Sequence, residues 1–81
     1  MRITQRIAKH TRRLLKERHW TQYQLARQAA VPISTLHHVI NGRSNNIKIE
    51  TLLSICRGLD ISLMDFFSDD LFLPENIPDN D

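Results

Sequence analysis

The sequence predicts an all-α fold of five helices, and three observations lead to that prediction. Apolar residues recur at spacings of three and four along successive stretches, and typical helix-starting and helix-ending residues separate those stretches. No stretch alternates apolar with polar residues as a half-buried strand would. A chain of 81 residues is long enough for one small hydrophobic core and too short for two.

The first helix is predicted over residues 4–18. A mainly apolar stripe runs along it, formed by Ile3, Ile7, Thr11, Leu14 and Leu15. Beside the stripe, basic residues follow one another at steps of four and three, namely Arg2, Arg6, Lys9, Arg13 and Lys16. We call this row the basic seam.

The second helix is predicted to start at Thr21. Thr21 and Gln24 have the spacing of a capping box, and Trp20 and Leu25 flank the cap as a hydrophobic staple. Trp20 and Tyr23 are interpreted as packing at the edge of the core. Small residues at the end of the helix would let another backbone come close, namely Ala26, Ala29 and Ala30.

Pro32 is predicted to begin a third helix, since its missing N–H costs nothing there and its φ is already helical. Its inward face is formed by Leu36, Val39 and Ile40, while Ile33, Ser34, His37 and His38 point elsewhere. Asn41-Gly42 should end the helix, with Gly42 in the left-handed conformation.

The fourth helix is predicted from a further apolar repeat, formed by Ile49, Leu52, Leu53, Cys56 and Leu59. Ser62 and Asp65 then cap a short fifth helix that ends at Phe67. We therefore assign residues 1–68 to one domain and residues 69–81 to an acidic C-terminal tail. The apolar triplet at 71–73 is unusual for a solvated tail.

The charges are divided along the chain. Residues 1–48 carry ten Lys and Arg residues and a single acid, Glu17, which gives a net charge of +9. Residues 49–81 carry eight acids and a single base, Arg57, which gives −7. This division indicates a polyanionic partner for the basic part, with a well-solvated surface as the alternative.

Several classes of protein are disfavoured. The single cysteine, Cys56, provides no disulfide framework, which favours a cytoplasmic protein, and no apolar run approaches the roughly 20 residues that cross a bilayer. We expect no metal, because neighbouring side chains such as His37 and His38 diverge by about 100° on a helix. The sequence has no catalytic triad pattern and no glycine-rich phosphate loop, so we expect neither an enzyme nor a cofactor.

The segment TQYQLARQAAVPISTLHHVINGR, followed by IETLLSICRGLDISLMDFF, resembles the lambda-repressor-like (XRE, Cro/cI-type) DNA-binding family. The resemblance covers roughly residues 11–67. It implies that helices 2 and 3 form a helix-turn-helix and that helix 3 enters the major groove of DNA.

The resemblance also implies which residues contact DNA. Ile33, Ser34 and His38 fall where the family contacts base edges, and Thr35 lies close by. The positions that it places on the phosphates are Gln22, Asn41, Arg43, Asn46 and Lys48. Elementary chemistry agrees, because helix N-termini, short amides and cations all bind phosphate groups.

The chain departs from the family pattern at three places. Ala30 stands at a turn position that is usually glycine, so it must adopt a left-handed conformation at a cost of about 1 kcal/mol. Pro32 replaces the usual Ser or Thr cap of helix 3. Many members join helix 1 to the end of helix 3 by a buried Arg–Glu pair, and here Leu15 and Ile40 replace both charges. We expect these two side chains to meet in the core.

Alternatives stay open for several of these residues. His38 is either a base contact, with an affinity that rises as the solution becomes more acidic, or a solvated residue. Ile33 either contacts a thymine methyl group or packs against the neighbouring turn. The basic seam is either a solvated face or a surface that flanks the DNA backbone.

We therefore expect a sequence-specific DNA-binding regulator, most simply a repressor that binds a two-fold operator as a homodimer. The dimer surface is expected at helix 5 and the tail, through Phe67 and the triplet Leu71, Phe72 and Leu73. Packing of that triplet onto its own domain is an equal alternative. Two other functions remain open, an antitoxin that binds a toxin through the acidic tail and an adaptor that binds only proteins.

Overall fold

A computed structural model describes residues 2–74, and it contains five α-helices and one short 3-10 helix within that range. The α-helices are α1 (Ile3–Arg18), α2 (Gln22–Ala29), α3 (Ile33–Ile40), α4 (Ile49–Gly58) and α5 (Leu63–Phe66), and the 3-10 helix spans Asp70–Phe72. The described residues form no strand, and the predicted all-α fold is confirmed. None of these helices combines the length and the apolar character that a membrane span requires.

The predicted helix caps are present. The backbone N–H of Gln24 donates to the Thr21 hydroxyl at 3.1 Å, and the Gln24 amide oxygen accepts from the N–H of Thr21 at 2.7 Å. In α5, the hydroxyl of Ser62 accepts from the N–H of Asp65 at 3.0 Å. Each bond satisfies a backbone N–H that has no partner inside the helix, so these side chains determine where the two helices begin.

The turn between α2 and α3 contains the strained residue that the sequence predicts. Ala30 has φ 55° and ψ 41°, and its N–H returns to the carbonyl of Arg27. The N–H of Val31 reaches the carbonyl of Ala26 at 3.1 Å, which closes the end of α2. Pro32 is the N-cap of α3 and provides no side-chain acceptor, so α3 begins at Ile33.

The helices enclose one apolar core, and α3 contributes Leu36, Val39 and Ile40 to it. Leu15 and Ile40 belong to the same buried cluster, with exposed fractions of 6% and 1%. Neither side chain lies in solvent, which agrees with the expectation that both lie in the core. Replacing a buried ion pair by packed apolar residues is often neutral or stabilising, because it avoids the desolvation of two charges.

Small residues let α2 and α4 approach closely. A Cβ atom added at Gly58 would lie 2.8 Å from the backbone nitrogen of Ala29 and 2.9 Å from its Cα. No side chain fits at that distance, so Gly58 is required where the two helices touch. The small residues at the end of α2 thus serve the packing of α4.

One part of the α4 prediction is wrong. Ile49 belongs to the predicted apolar repeat, but it is the first residue of α4 and 65% of it is exposed. The buried stripe begins one turn later, at Leu52, and it includes Ile55, which the predicted pattern omits. The spacing of apolar residues identifies a helix face, whereas the end of the core depends on which neighbours cover that face.

The residues at 69–74, which we call the C-terminal segment, pack against α1. Phe72 lies beside the rings of His10, Phe66 and Phe67, with centroid separations of 5.7, 5.8 and 4.8 Å. Asp69 caps the 3-10 helix by accepting from the N–H of Leu71 at 2.9 Å. Packing onto the same domain is therefore the role of Phe72, whereas residues 75–81 of the predicted tail lie outside the described residues.

Two polar residues hold the C-terminal segment at α1. A carboxylate oxygen of Asp69 accepts from the guanidinium of Arg13, which also contacts the ring of His10 at 2.8 Å. His10 is buried, and this burial lowers the pKa of its imidazole. The pKa of Asp69 is lowered by the N–H of Leu71 and by Arg13. The sequence pattern gave no indication of this cluster, since Asp69 is far from His10 and Arg13 in the chain.

The strain at Ala30 can be measured by an Ala30→Gly substitution. Glycine adopts the left-handed conformation without a steric penalty, so the free energy of unfolding in urea should rise by about 0.5–1 kcal/mol. The control is Gln28→Gly, an exposed position inside α2, where glycine should lower the free energy by about 1 kcal/mol. A decrease for Ala30→Gly would contradict the strain.

Because the C-terminal segment packs through Phe72, alanine substitutions at neighbouring positions of the segment should change the free energy of unfolding by different amounts. Phe72→Ala removes a half-buried ring from the aromatic cluster and should lower the free energy of unfolding by about 2 kcal/mol. Leu73→Ala, at a residue that is 40% exposed, should change it by less than about 0.5 kcal/mol. Equal effects from the two variants would mean that the segment does not pack as described. Deleting residues 69–81 would also remove Phe72 and lower the stability of the fold, so this deletion could not test the binding of a toxin to the tail by itself.

Candidate nucleic-acid interface

The exposed face of α3 lies opposite its buried stripe. Ser34 and His38 are exposed, and their spacing of four residues places them one above the other on the helix surface. Leu36, Val39 and Ile40 hold the other side of the helix in the core. The apolar contacts therefore leave a hydroxyl and an imidazole side by side on an accessible helix face.

The other two predicted base-contacting residues are half-buried. Ile33 packs in part against the core and leaves the remainder of its side chain accessible. Thr35 is half-buried and faces a groove that it shares with His38. Packing against its neighbours, one of the two alternatives for Ile33, is therefore present, and part of its side chain remains accessible.

An open groove of about 300 Å³ joins α3 to the start of α4. Its wall includes Thr35 and His38 from α3, together with Asn46 and Lys48 from the loop before α4. The loop is shaped by Ser44, whose hydroxyl donates to the carbonyl of Asn46 at 2.6 Å. The groove brings predicted base contacts and predicted phosphate contacts together.

A second groove, of about 250 Å³, lies on the other side of His38. It is lined by Ser34, His37, His38, Asn41 and Arg43. The two grooves share His38 and together contain seven of the nine residues that the sequence assigns to DNA contacts. Donors, acceptors and cations are thus arranged along one continuous face.

Gln22 and Ile33 line neither groove. Gln22 is the first residue of α2, where backbone N–H groups have no partner inside the helix. Its neighbour Tyr23 is 65% exposed and lies edge-on to the ring of His37, with the centroids 6.3 Å apart. The interpretation of Tyr23 as core-edge packing is therefore wrong, whereas Trp20 does pack against the core.

The basic seam of α1 is divided between two environments. At its N-terminal end, the guanidinium of Arg2 donates to the side-chain oxygen of Asn45 at 3.0 Å, which places a cation beside the α3–α4 loop. Further along, Arg13 is paired with Asp69 and Arg6 donates to the carbonyl of Leu71 at 3.4 Å. The start of the seam therefore adjoins the candidate interface, whereas Arg6 and Arg13 hold the C-terminal segment.

Residues 2–74 give little support for a metal site or a reactive thiol. No group of three or more His, Cys, Asp or Glu residues in that range is arranged to hold a metal ion. Cys56 is buried in the core, and the burial raises the pKa of its thiol, which disfavours the reactive thiolate form.

A comparison with family models agrees with this geometry. The model of the Cro/C1-type HTH DNA-binding domain matches residues 10–70. No curated protein and no solved structure gives a significant match. The matched range covers most of the chain, and the chain therefore belongs to the family of Cro/C1-type helix-turn-helix DNA-binding domains. The resemblance to lambda-repressor-like proteins is thereby confirmed.

Proposed function

We propose that this member of the Cro/C1-type helix-turn-helix family is a transcriptional repressor that binds a two-fold operator as a dimer. The main support for the proposal is the continuous face along α3, where two adjoining grooves bring the predicted base contacts and phosphate contacts together. A bound dimer would occlude a promoter by occupancy alone, so repression needs no activity beyond DNA binding.

Sequence specificity in this proposal comes from the first two turns of α3. The hydroxyl of Ser34 can donate to or accept from a base edge. The imidazole of His38 can donate to the acceptors of guanine, and it gains a second donor when it is protonated. The accessible part of Ile33 would contact a thymine methyl group. Thr35, on the wall of the first groove, would add a hydroxyl close to the same bases.

Phosphate contacts determine the register of α3 on the duplex. Arg43 and Lys48 are exposed cations on the two grooves, and Asn41 and Asn46 offer amide donors beside them. Gln22, at the start of α2, would bind the backbone at another point, together with the free N–H groups of that helix end. Such contacts fix orientation and add affinity without carrying sequence information.

A dimer would place two α3 helices in successive turns of the major groove, with half-site centres about 34 Å apart. We assign its surface to α5 and the C-terminal segment. Phe67 and Phe72 pack within their own domain, which leaves the exposed side chains of Met64 and Leu73 for contact between subunits.

Selection of bound sites from random DNA tests this proposal. We expect two related half-sites whose centres lie one helical turn apart. His38→Ala should lose discrimination at one base position by about 1–3 kcal/mol, because one side chain stops contacting one base edge.

The matched control for this experiment is Gln28→Ala, an exposed α2 position that lines neither groove. It should select the same sites as the unmodified chain. Thermal unfolding of both variants should match that chain, because both side chains are exposed. Recovery of no preferred sequence would refute the proposal and would favour an adaptor that binds only proteins.

A further inference from the structure

A hollow on the surface lies between α1 and the end of α3. Its wall consists of Gln5, Ala8, Arg12, Asn41 and Gly42, and its volume is about 340 Å³. We call it the α1–α3 hollow. The wall contains a cation and two amides and has no carboxylate, so its chemistry suits an anion.

Arg12 is held in place by the end of α3. Its Nη1 donates to the carbonyl of Ile40, the last residue of α3. The last carbonyls of a helix have no partner inside it and carry partial negative charge, so a guanidinium there is favourable. A guanidinium has five N–H donors in a planar fork, so most of them remain for a second acceptor. The side chain is exposed and thus accessible to one.

Gln5 presents the donor end of its amide. Its oxygen accepts the backbone N–H of Arg2 at 2.9 Å, at the start of α1. The NH2 group of the same amide is left with two donors. Because the oxygen is engaged by the backbone and Gln5 lines the hollow, the part of its amide that remains for a ligand is a donor, which suits an acceptor there.

Small residues form the floor of the hollow. Gly42 has φ 67°, and a Cβ atom added there would lie 3.6 Å from Cγ of Gln5 and 3.7 Å from Cβ of Ala8. The loop after α3 therefore runs directly against α1. Among the other lining residues, Gln5 and Arg12 belong to α1, and Asn41 directly follows α3.

The hollow continues into the candidate interface. Asn41 lines both the hollow and the groove that contains Ser34, His38 and Arg43. A duplex bound to the exposed face of α3 would carry its backbone past Asn41. A phosphate group that passes this residue comes within reach of α1.

We propose that the α1–α3 hollow binds one phosphate of the DNA backbone, with Arg12 and Gln5 as donors that act together with Asn41. The inference rests on the proposed function, because it requires a duplex on α3. It assigns a contact to two residues of α1 that neither the sequence pattern nor the family match assigns.

The salt dependence of affinity measures such a contact. The experiment uses the full chain and one duplex that carries the selected operator, and affinity is measured at several salt concentrations. Each phosphate that is neutralised adds about 0.9 to the slope of log affinity against log salt. Arg12→Met should therefore reduce the magnitude of the slope by about one. The control, Arg27→Met, removes an exposed charge on α2 outside this surface and should leave the slope unchanged.

A second variant avoids the objection that Arg12→Met disturbs the end of α3. In Gln5→Glu a carboxylate oxygen can still accept the N–H of Arg2, and a negative charge near the start of α1 favours the helix. The melting temperature should therefore stay the same or rise. Affinity at low salt should nevertheless fall about tenfold, because the carboxylate repels a phosphate in the hollow.

The outcomes separate this inference from the proposed function. If the unmodified chain binds no preferred sequence, the proposed function has failed. If that chain binds its operator and both variants keep its slope and affinity, only the phosphate site is refuted. If Arg12→Met unfolds, Gln5→Glu alone decides, since its fold is preserved.

Discussion

Helix α3 has only eight residues, and an isolated helix of that length is unstable in water. Its conformation depends on Leu36, Val39 and Ile40, which are buried against α1 and α2. These contacts determine both that α3 is helical and which of its sides faces outward. The exposed positions of Ser34 and His38 follow from the same contacts, so the geometry of the interface is a consequence of the core.

Many family members join helix 1 to the end of helix 3 by a buried Arg–Glu pair, whereas this chain connects the same two helices without it. In the core, Leu15 and Ile40 replace both charges, which removes the cost of burying them. At the surface, Arg12 connects α1 to the end of α3 through the carbonyl of Ile40. A charged group thus still links the two helices, but it remains in solvent, where its free donors are accessible. The acidic part of the chain also contacts the basic part within the fold, since Asp69 pairs with Arg13 of the basic seam.

Features that depend on neighbours in sequence could be predicted. The caps at Thr21 and Ser62 and the left-handed Ala30 follow from local backbone chemistry and from the family resemblance. Several features that depend on tertiary packing could not, because nothing in the local pattern specifies which element covers a given side chain. The exposure of Ile49 and Tyr23, the docking of Phe72 on His10 and the bond from Arg12 to Ile40 all belong to this second group. The predicted interface residues lie together because most of them are neighbours along α3 and its following loop.

Disulfide cross-linking to DNA measures directly whether the outward face of α3 meets base edges in the major groove. Ser34→Cys would be combined with the operator duplex carrying a thiol tether on a base in that groove, and Gln28→Cys would serve as the control. The native Cys56 is buried and should not react. We expect a cross-link at position 34 and none at position 28. Operator binding without a cross-link at 34, or equal cross-linking at both positions, would rule out this placement of α3 in the major groove.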